Sequence, residues 1–239
     1  MNIDTLSKEA ILADPAVNAM RAKIATIGAL MYDRHLTDAA GGNLSARVKT
    51  SEGDVFCMSP RYSGSKHLWR LKPEQVLVVT LDGTILDGGG EISRESRVHL
   101  RLHRDFGEHG TAVIHAHARN VLVFCAAAKP MPPTLEQMRK FGTIPVIDFA
   151  PSHSESLADH VAAAIRGNEA RIRKQAAAVI APWHGLFVMG KDLEAAYDAV
   201  ERVDTNAYIL LMSGKLGDNN MLADARAALE DNMAKWESH

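Results

Sequence analysis

Apolar residues recur at helical spacing early in the chain, at Val17, Met20, Ile24, Ile27, Leu30 and Met31. That period predicts a helix from Asp14-Pro15, where Asp caps and Pro suits the first turn, to about Arg34. A polar, glycine-rich turn from Thr37 to Ser45 follows it. Short apolar runs bounded by Gly, Pro and Asp then predict strands at Leu44–Val48, Val55–Met58, Val76–Thr80 and Thr84–Leu86. Gly88 to Ser93 leads into a predicted helix of about Arg94–Phe106. The next apolar run, Ala112 to Ala118, reads as a strand that ends in two histidines, His115 and His117.

The second half alternates in the same way. Helices are predicted at Asn120–Ala128, Leu135–Lys140, Ser154–Ile165 and Leu193–Met212, and strands at Ile144–Ile147, Ala176–Ile180 and Leu186–Met189. Gly214 and Gly217 set off a last amphipathic helix, roughly Met221–Trp236. Strands come in clusters, not in strict alternation with helices, no repeat of 20–50 residues appears, and no linker divides the chain. The expectation is one α/β domain spanning 1–239, with a core of about 15–214 and a C-terminal helix of about 218–236. A central, mostly antiparallel sheet lies between helical layers, making three layers, α/β/α.

Composition narrows the function classes. A chain of 239 residues that is 46% hydrophobic buries a full core. A net charge of -2, with no basic block interleaved with aromatics, argues against nucleic acid and acidic membrane as partners. Cys57 and Cys125 lie far apart in apolar surroundings and read as buried thiols in a reducing compartment. No basic segment followed by an apolar core opens the chain, and no apolar run approaches about 18 residues, so a cytoplasmic location is expected.

The candidate chemistry starts at His115 and His117. Residues i and i+2 of a strand share a face, so two imidazoles stand side by side and suit a divalent ion. The alternative is a hydrogen-bonded pair at a strand end. His184, in Trp183-His-Gly185 between two apolar runs, can reach the same rim or simply close a turn. Glu95 stands at the start of the helix that leads into the histidine strand, as a capping carboxylate, a metal ligand or a general base. Glu95, His99 and His103 also share one helix face, a second possible metal site; they lack the intervening Glu of helical two-histidine motifs. The Gly41-Gly-Asn-Leu-Ser45 turn offers N–H and amide donors to an anion. Arg61 and Arg94 are either an anion clamp or solvated surface arginines.

Taken in order, Gly42-Asn43-Leu44-Ser45, Ser93 with Glu95, His115 with His117, and His184-Gly185-Leu186 resemble the class II aldolase/adducin family over about residues 15–214. The resemblance implies a central antiparallel sheet flanked by helices and a homotetramer with active sites between subunits. It implies a divalent metal, zinc first and Mn, Co, Fe or Mg otherwise, held by His115, His117 and His184. Glu95 becomes the acid/base and a candidate fourth ligand, and Asn43 and Ser93 hold an anionic substrate. The retained histidines separate the chain from the non-catalytic adducin branch. The implied activity is carbon–carbon lysis, foremost an aldolase cleaving a hydroxy-carbonyl, sugar-phosphate-like substrate through a metal-stabilised enediolate. Four departures matter. Arg94 stands where the sugar-phosphate aldolases carry a second Ser, and Pro60-Arg-Tyr62 stands at their phosphate loop. The family's proton-donating tyrosine would fall near Glu136 or Gln137, and no Tyr follows Tyr208. Paired arginines suit a carboxylate too, so a decarboxylase of a hydroxylated aromatic acid such as dihydroxyphthalate is the alternative, followed by an epimerase or dehydratase.

Overall fold

The computed structural model describes residues 5–216 and 221–238. Asp14 accepts a 2.8 Å hydrogen bond from the Ala16 N–H and Pro15 occupies the first turn, so α2 (Pro15–Asp33) begins where the spacing predicts. A helix with no periodic signal, α1 (Thr5–Ala13), precedes it. Among the described residues seven strands form one sheet: β1 (Asn43–Thr50), β2 (Gly53–Met58), β3 (Leu77–Val79), β4 (Ile85–Asp87), β5 (Ala112–Ala116), β6 (Ala176–Ala181) and β7 (Gly185–Gly190). Their order is β4-β3-β2-β1-β5-β7-β6, and every ladder is antiparallel.

Two layers of helix cover this sheet. Leu44, Ala46 and Val48 of β1, Ile114 of β5, and Leu186 and Val188 of β7 pack with α2 and α8 (Leu193–Ser213) on one face. Val113, Phe187 and Met189 pack on the other, with Val98, Leu102 and Val161 of α4 (Ser96–Phe106) and α6 (Glu155–Ile165). The period of two then decides where the polar residues go: Asn43, Ser45, Arg47 and His115 fall on the α4 side. The remaining helices are α3 (Ser63–His67), α5 (Val121–Ala127), α7 (Glu169–Lys174) and α9 (Met221–Glu237). No described helix is long and apolar enough to cross a membrane.

Two expectations need correction. Residues Ile144–Ile147 form no ladder strand; they make only two isolated bridges, Met131 with Ile144 and Val146 with Ile180. Pro145 lacks the N–H a ladder needs, and only its carbonyl is used, by the Ile180 N–H at 2.8 Å. The helix after Gly90 starts at Ser96, not Arg94, and the Glu95 side chain caps nothing. The last helix, α9, is mostly exposed, with Arg226, Leu229 and Met233 half-buried on one face, and Arg139 reaches its Glu230 and Glu237. Gly217 and residues 218–220 lie outside the described residues.

Candidate metal centre

Sheet register assembles the site. β1 pairs Asn43 with His115, and β7 pairs Phe187 with His115 and Leu186 with Ala116. The turn before β7 therefore returns beside the end of β5 and brings His184 to the two strand histidines. Ligand nitrogens of His115, His117 and His184 all lie within 4.8 Å of one another. Two glycines permit this crowding. A β-carbon at Gly41 would stand 2.0 Å from the His117 ring, and one at Gly185 would stand 2.8 Å from His115 Cε1. The region is a pocket of about 230 Å³.

Two of the rings are oriented from behind. His115 Nδ1 lies 3.1 Å from the Leu186 carbonyl, which makes it the N–H and leaves Nε2 for a ligand. The ring stacks on Phe187 at 4.3 Å. His117 Nδ1 faces Asp38 Oδ2 at 3.5 Å, while its buried Nε2 has no partner. That contact with His117 is the main reason the Asp38 carboxyl is held below the usual carboxylate range. Burial, then the neighbouring charges of His117 and His153, pushes the His184 imidazole down to about 4. Three imidazoles with buried, unpartnered nitrogens among them, two of the rings backed by a carbonyl or a carboxylate, fit a divalent cation such as zinc.

Glu95 is buried, at 4% exposure, beside this triad. Its Oε1 lies 3.5 Å from His184 Nε2 and 2.9 Å from His153 Nδ1. Neither carboxylate oxygen has a hydrogen-bond partner among the described residues, so the two histidines are close charged or polar neighbours that are not aligned as donors. Burial pushes the carboxyl up to about 7, with the His153 backbone and the His117 charge pulling the other way. Asn43 and Ser93 lie together: Asn43 Nδ2 donates to Ser93 Oγ at 3.0 Å, and the Glu95 N–H donates to the same oxygen at 3.2 Å. The amide oxygen of Asn43 is buried without a partner.

The two arginines differ. Arg61 donates to Glu91 at 2.6 Å and stacks over Tyr62 at 4.4 Å. Arg94 lines the pocket with no ion-pair or hydrogen-bond partner among the described residues. Ser63 and Gly64 also reach the pocket, but Ser63 Oγ is committed to the Pro60 carbonyl at 2.6 Å. The second possible metal site is not one. His99 Nδ1 and His103 Nε2 both bond Ser45 Oγ, at 2.7 and 2.8 Å, inside the packing between β1 and α4. Sequence reasoning missed His153 and Asp38. Asp38 stood inside the turn Thr37–Ser45; His153 lies in a loop 58 residues after Glu95 and carries no spacing signal.

Comparison with known proteins gives the relatives of this arrangement. The family described as Class II Aldolase and Adducin N-terminal domain matches residues 22–211. A protein of Methanococcus maripaludis (strain C5 / ATCC BAA-1333) called L-fuculose phosphate aldolase is 27% identical over 190 residues, covering 79% of this chain and 94% of its own. A Pectobacterium atrosepticum protein called 3-oxo-tetronate 4-phosphate decarboxylase is 25% identical over 217 residues, covering 87% and 91%. The solved structure of an L-fuculose 1-phosphate aldolase superposes with a TM-score of 0.71 at 21% identity, covering 91% of this chain and 98% of that one, a likeness of fold.

Proposed function

Because the chain belongs to the class II aldolase and adducin N-terminal domain family, we propose that it is a single-domain, divalent-metal-dependent carbon–carbon lyase, foremost an aldolase acting on an anionic hydroxy-carbonyl compound. The observation that carries this reading is the convergence of His115, His117 and His184 within 4.8 Å beside the buried carboxyl of Glu95. These three imidazoles would hold the ion, zinc by the nitrogen-only donor set. When bound, the ion supplies fixed positive charge for oxygens on which negative charge develops as the bond breaks.

The chain's own residues do the rest. Ser93 Oγ accepts from Asn43 and from the Glu95 backbone, which leaves its O–H to donate to an anionic end of the substrate. Arg94, unpaired at the pocket wall, holds a charged oxygen through paired donors. Glu95, its carboxyl raised toward neutrality, accepts and returns the proton. Trp183, the residue before His184, and Phe149 are 66% and 59% exposed and in edge contact at 5.4 Å. They give the rim an apolar surface that suits a second subunit of a homotetramer.

Arg94 favours a second reading. A guanidinium in place of hydroxyl donors matches a carboxylate as well as a phosphate, so decarboxylation of a hydroxylated aromatic acid is the alternative. One experiment separates the two: zinc-loaded protein is offered L-fuculose 1-phosphate and 3,4-dihydroxyphthalate, and aldehyde and CO2 release are followed. Turnover of the first supports the aldolase, and turnover of the second the decarboxylase. His117→Ala is expected to lose most bound metal, Glu95→Gln to keep metal and lose turnover, and Arg94→Ala to raise KM. Full metal content in His117→Ala overturns the ligand assignment.

A further inference from the structure

His153 stands where a β-carbon is unwelcome. Its φ is +69°, in the left-handed region that glycine occupies without strain. The backbone there is held by the start of α6: the Ser154 N–H and Oγ both donate to the Pro151 carbonyl, at 3.3 and 2.7 Å, and Ser154 Oγ accepts from the Leu157 N–H at 3.0 Å. Such a loop keeps an imidazole at this position despite the backbone. The ring lies at the pocket wall, with Nδ1 2.9 Å from Glu95 Oε1. The charges of Arg94 and Arg61 are near enough to act on it. Glu95 has no other side-chain neighbour of this kind except His184, which belongs to the triad.

We propose that His153 is a positioning residue for Glu95: its Nδ1–H, 2.9 Å from Oε1, attracts the carboxylate electrostatically and holds the carboxyl in the orientation it needs against the imidazole triad. Nothing local in α4 does this, since the Glu95 side chain leaves the helix N-terminus and caps no N–H there. The kinetic consequence rests on the lyase reading, whereas the contact itself does not. A carboxyl that swings freely is misaligned for proton transfer, and misplacement by about 1 Å costs up to about 100-fold in rate.

The test uses the full-length, zinc-loaded chain. His153→Gly suits the observed φ and so retains the fold; His153→Asn tolerates a left-handed backbone and keeps an amide donor. Expected for His153→Gly are an unchanged or raised Tm, unchanged zinc content, kcat lowered about tenfold or more, and KM within about twofold. His153→Asn should recover part of the kcat. Independently, the 15N spectrum of the imidazoles, with the His153 signal assigned by its loss in His153→Gly, should show the Nδ1–H tautomer and a shift in Glu95→Gln. An unchanged kcat, a raised KM with kcat held, loss of zinc, or an Nε2–H tautomer overturns the proposal. If wild-type protein turns over neither substrate, the lyase reading has failed and the tautomer alone decides the role of His153.

Discussion

His99 and His103 are uncharged in the folded chain because no water reaches them and Ser45 is their shared partner. One hydroxyl has one proton, so it donates to one ring and accepts from the other, and both tautomers are set. Burial holds His99 down at about 3, and burial with the charges of His99 and Arg47 holds His103 well below the usual imidazole range. The unfolded chain therefore binds more protons than the folded one once pH falls below about 6.5. Stability contributed by the neutral pair is complete above that pH and is lost as pH drops, by about 1.4 kcal/mol per unit for each ring. Urea unfolding of metal-free protein between pH 7.5 and 5 should show this slope, and His103→Phe should flatten it by roughly one proton. An equal slope in wild type and variant would mean that His103 titrates normally in the fold. At the same scale, Arg61 and Arg94 look equivalent in the chain but are not. Both line the pocket, but Arg61 is paired with Glu91 while Arg94 has no such partner among the described residues.

Among the elements, α5 is held by a carboxylate from another helix. Asn120 precedes it without a capping side-chain bond, and its first N–H groups point instead at Asp204 of α8. Asp204 Oδ1 accepts from the Asn120 and Val121 N–H groups at 2.8 and 3.2 Å, and Oδ2 accepts from Asn120 Nδ2 at 2.7 Å. A negative charge at a helix N-terminus is favourable, and this one also clamps the segment that follows His117. Asp204→Ala is expected to cost about 1–2 kcal/mol of stability, read as a lower Tm, because it leaves buried donors unpaired. Asp204→Asn should cost less, keeping one acceptor. If the alanine variant melts like wild type, α5 is capped in another way. Arg21 ties α2 to the β4 side in the same manner, donating to the Pro73 and Glu74 carbonyls and to Asp87 at 2.9, 2.7 and 2.7 Å.

For the molecule as a whole, the proposed metal would join distant parts. Its three proposed ligands come from the end of β5 and from the turn between β6 and β7, so an ion binds the folded chain and not the unfolded one. At free zinc near a thousand times Kd the gain is about 4 kcal/mol, or roughly 10 °C in Tm for a chain of this size. Melting with zinc and with chelator should differ by about that amount, and the difference should vanish in His117→Ala. A Tm indifferent to zinc would remove the metal from the proposal.

Periodicity alone determined the layers and the histidine pair. Backbone geometry sets which face of an element a residue occupies, so Asp14-Pro15 opens α2, and His115 and His117 run together off the end of β5, within a few residues of one another. The ordered motifs carried the family resemblance for the same reason: they are short and local. What tertiary structure decided is who meets whom across long separations. Register between β5 and β7 delivered His184, packing of α4 on β1 buried Glu95 and sent His99 and His103 to Ser45, and a loop held by the α6 cap brought in His153. No spacing encodes those meetings, because they depend on strand pairing and loop closure over tens of residues, where the chain has no period to read.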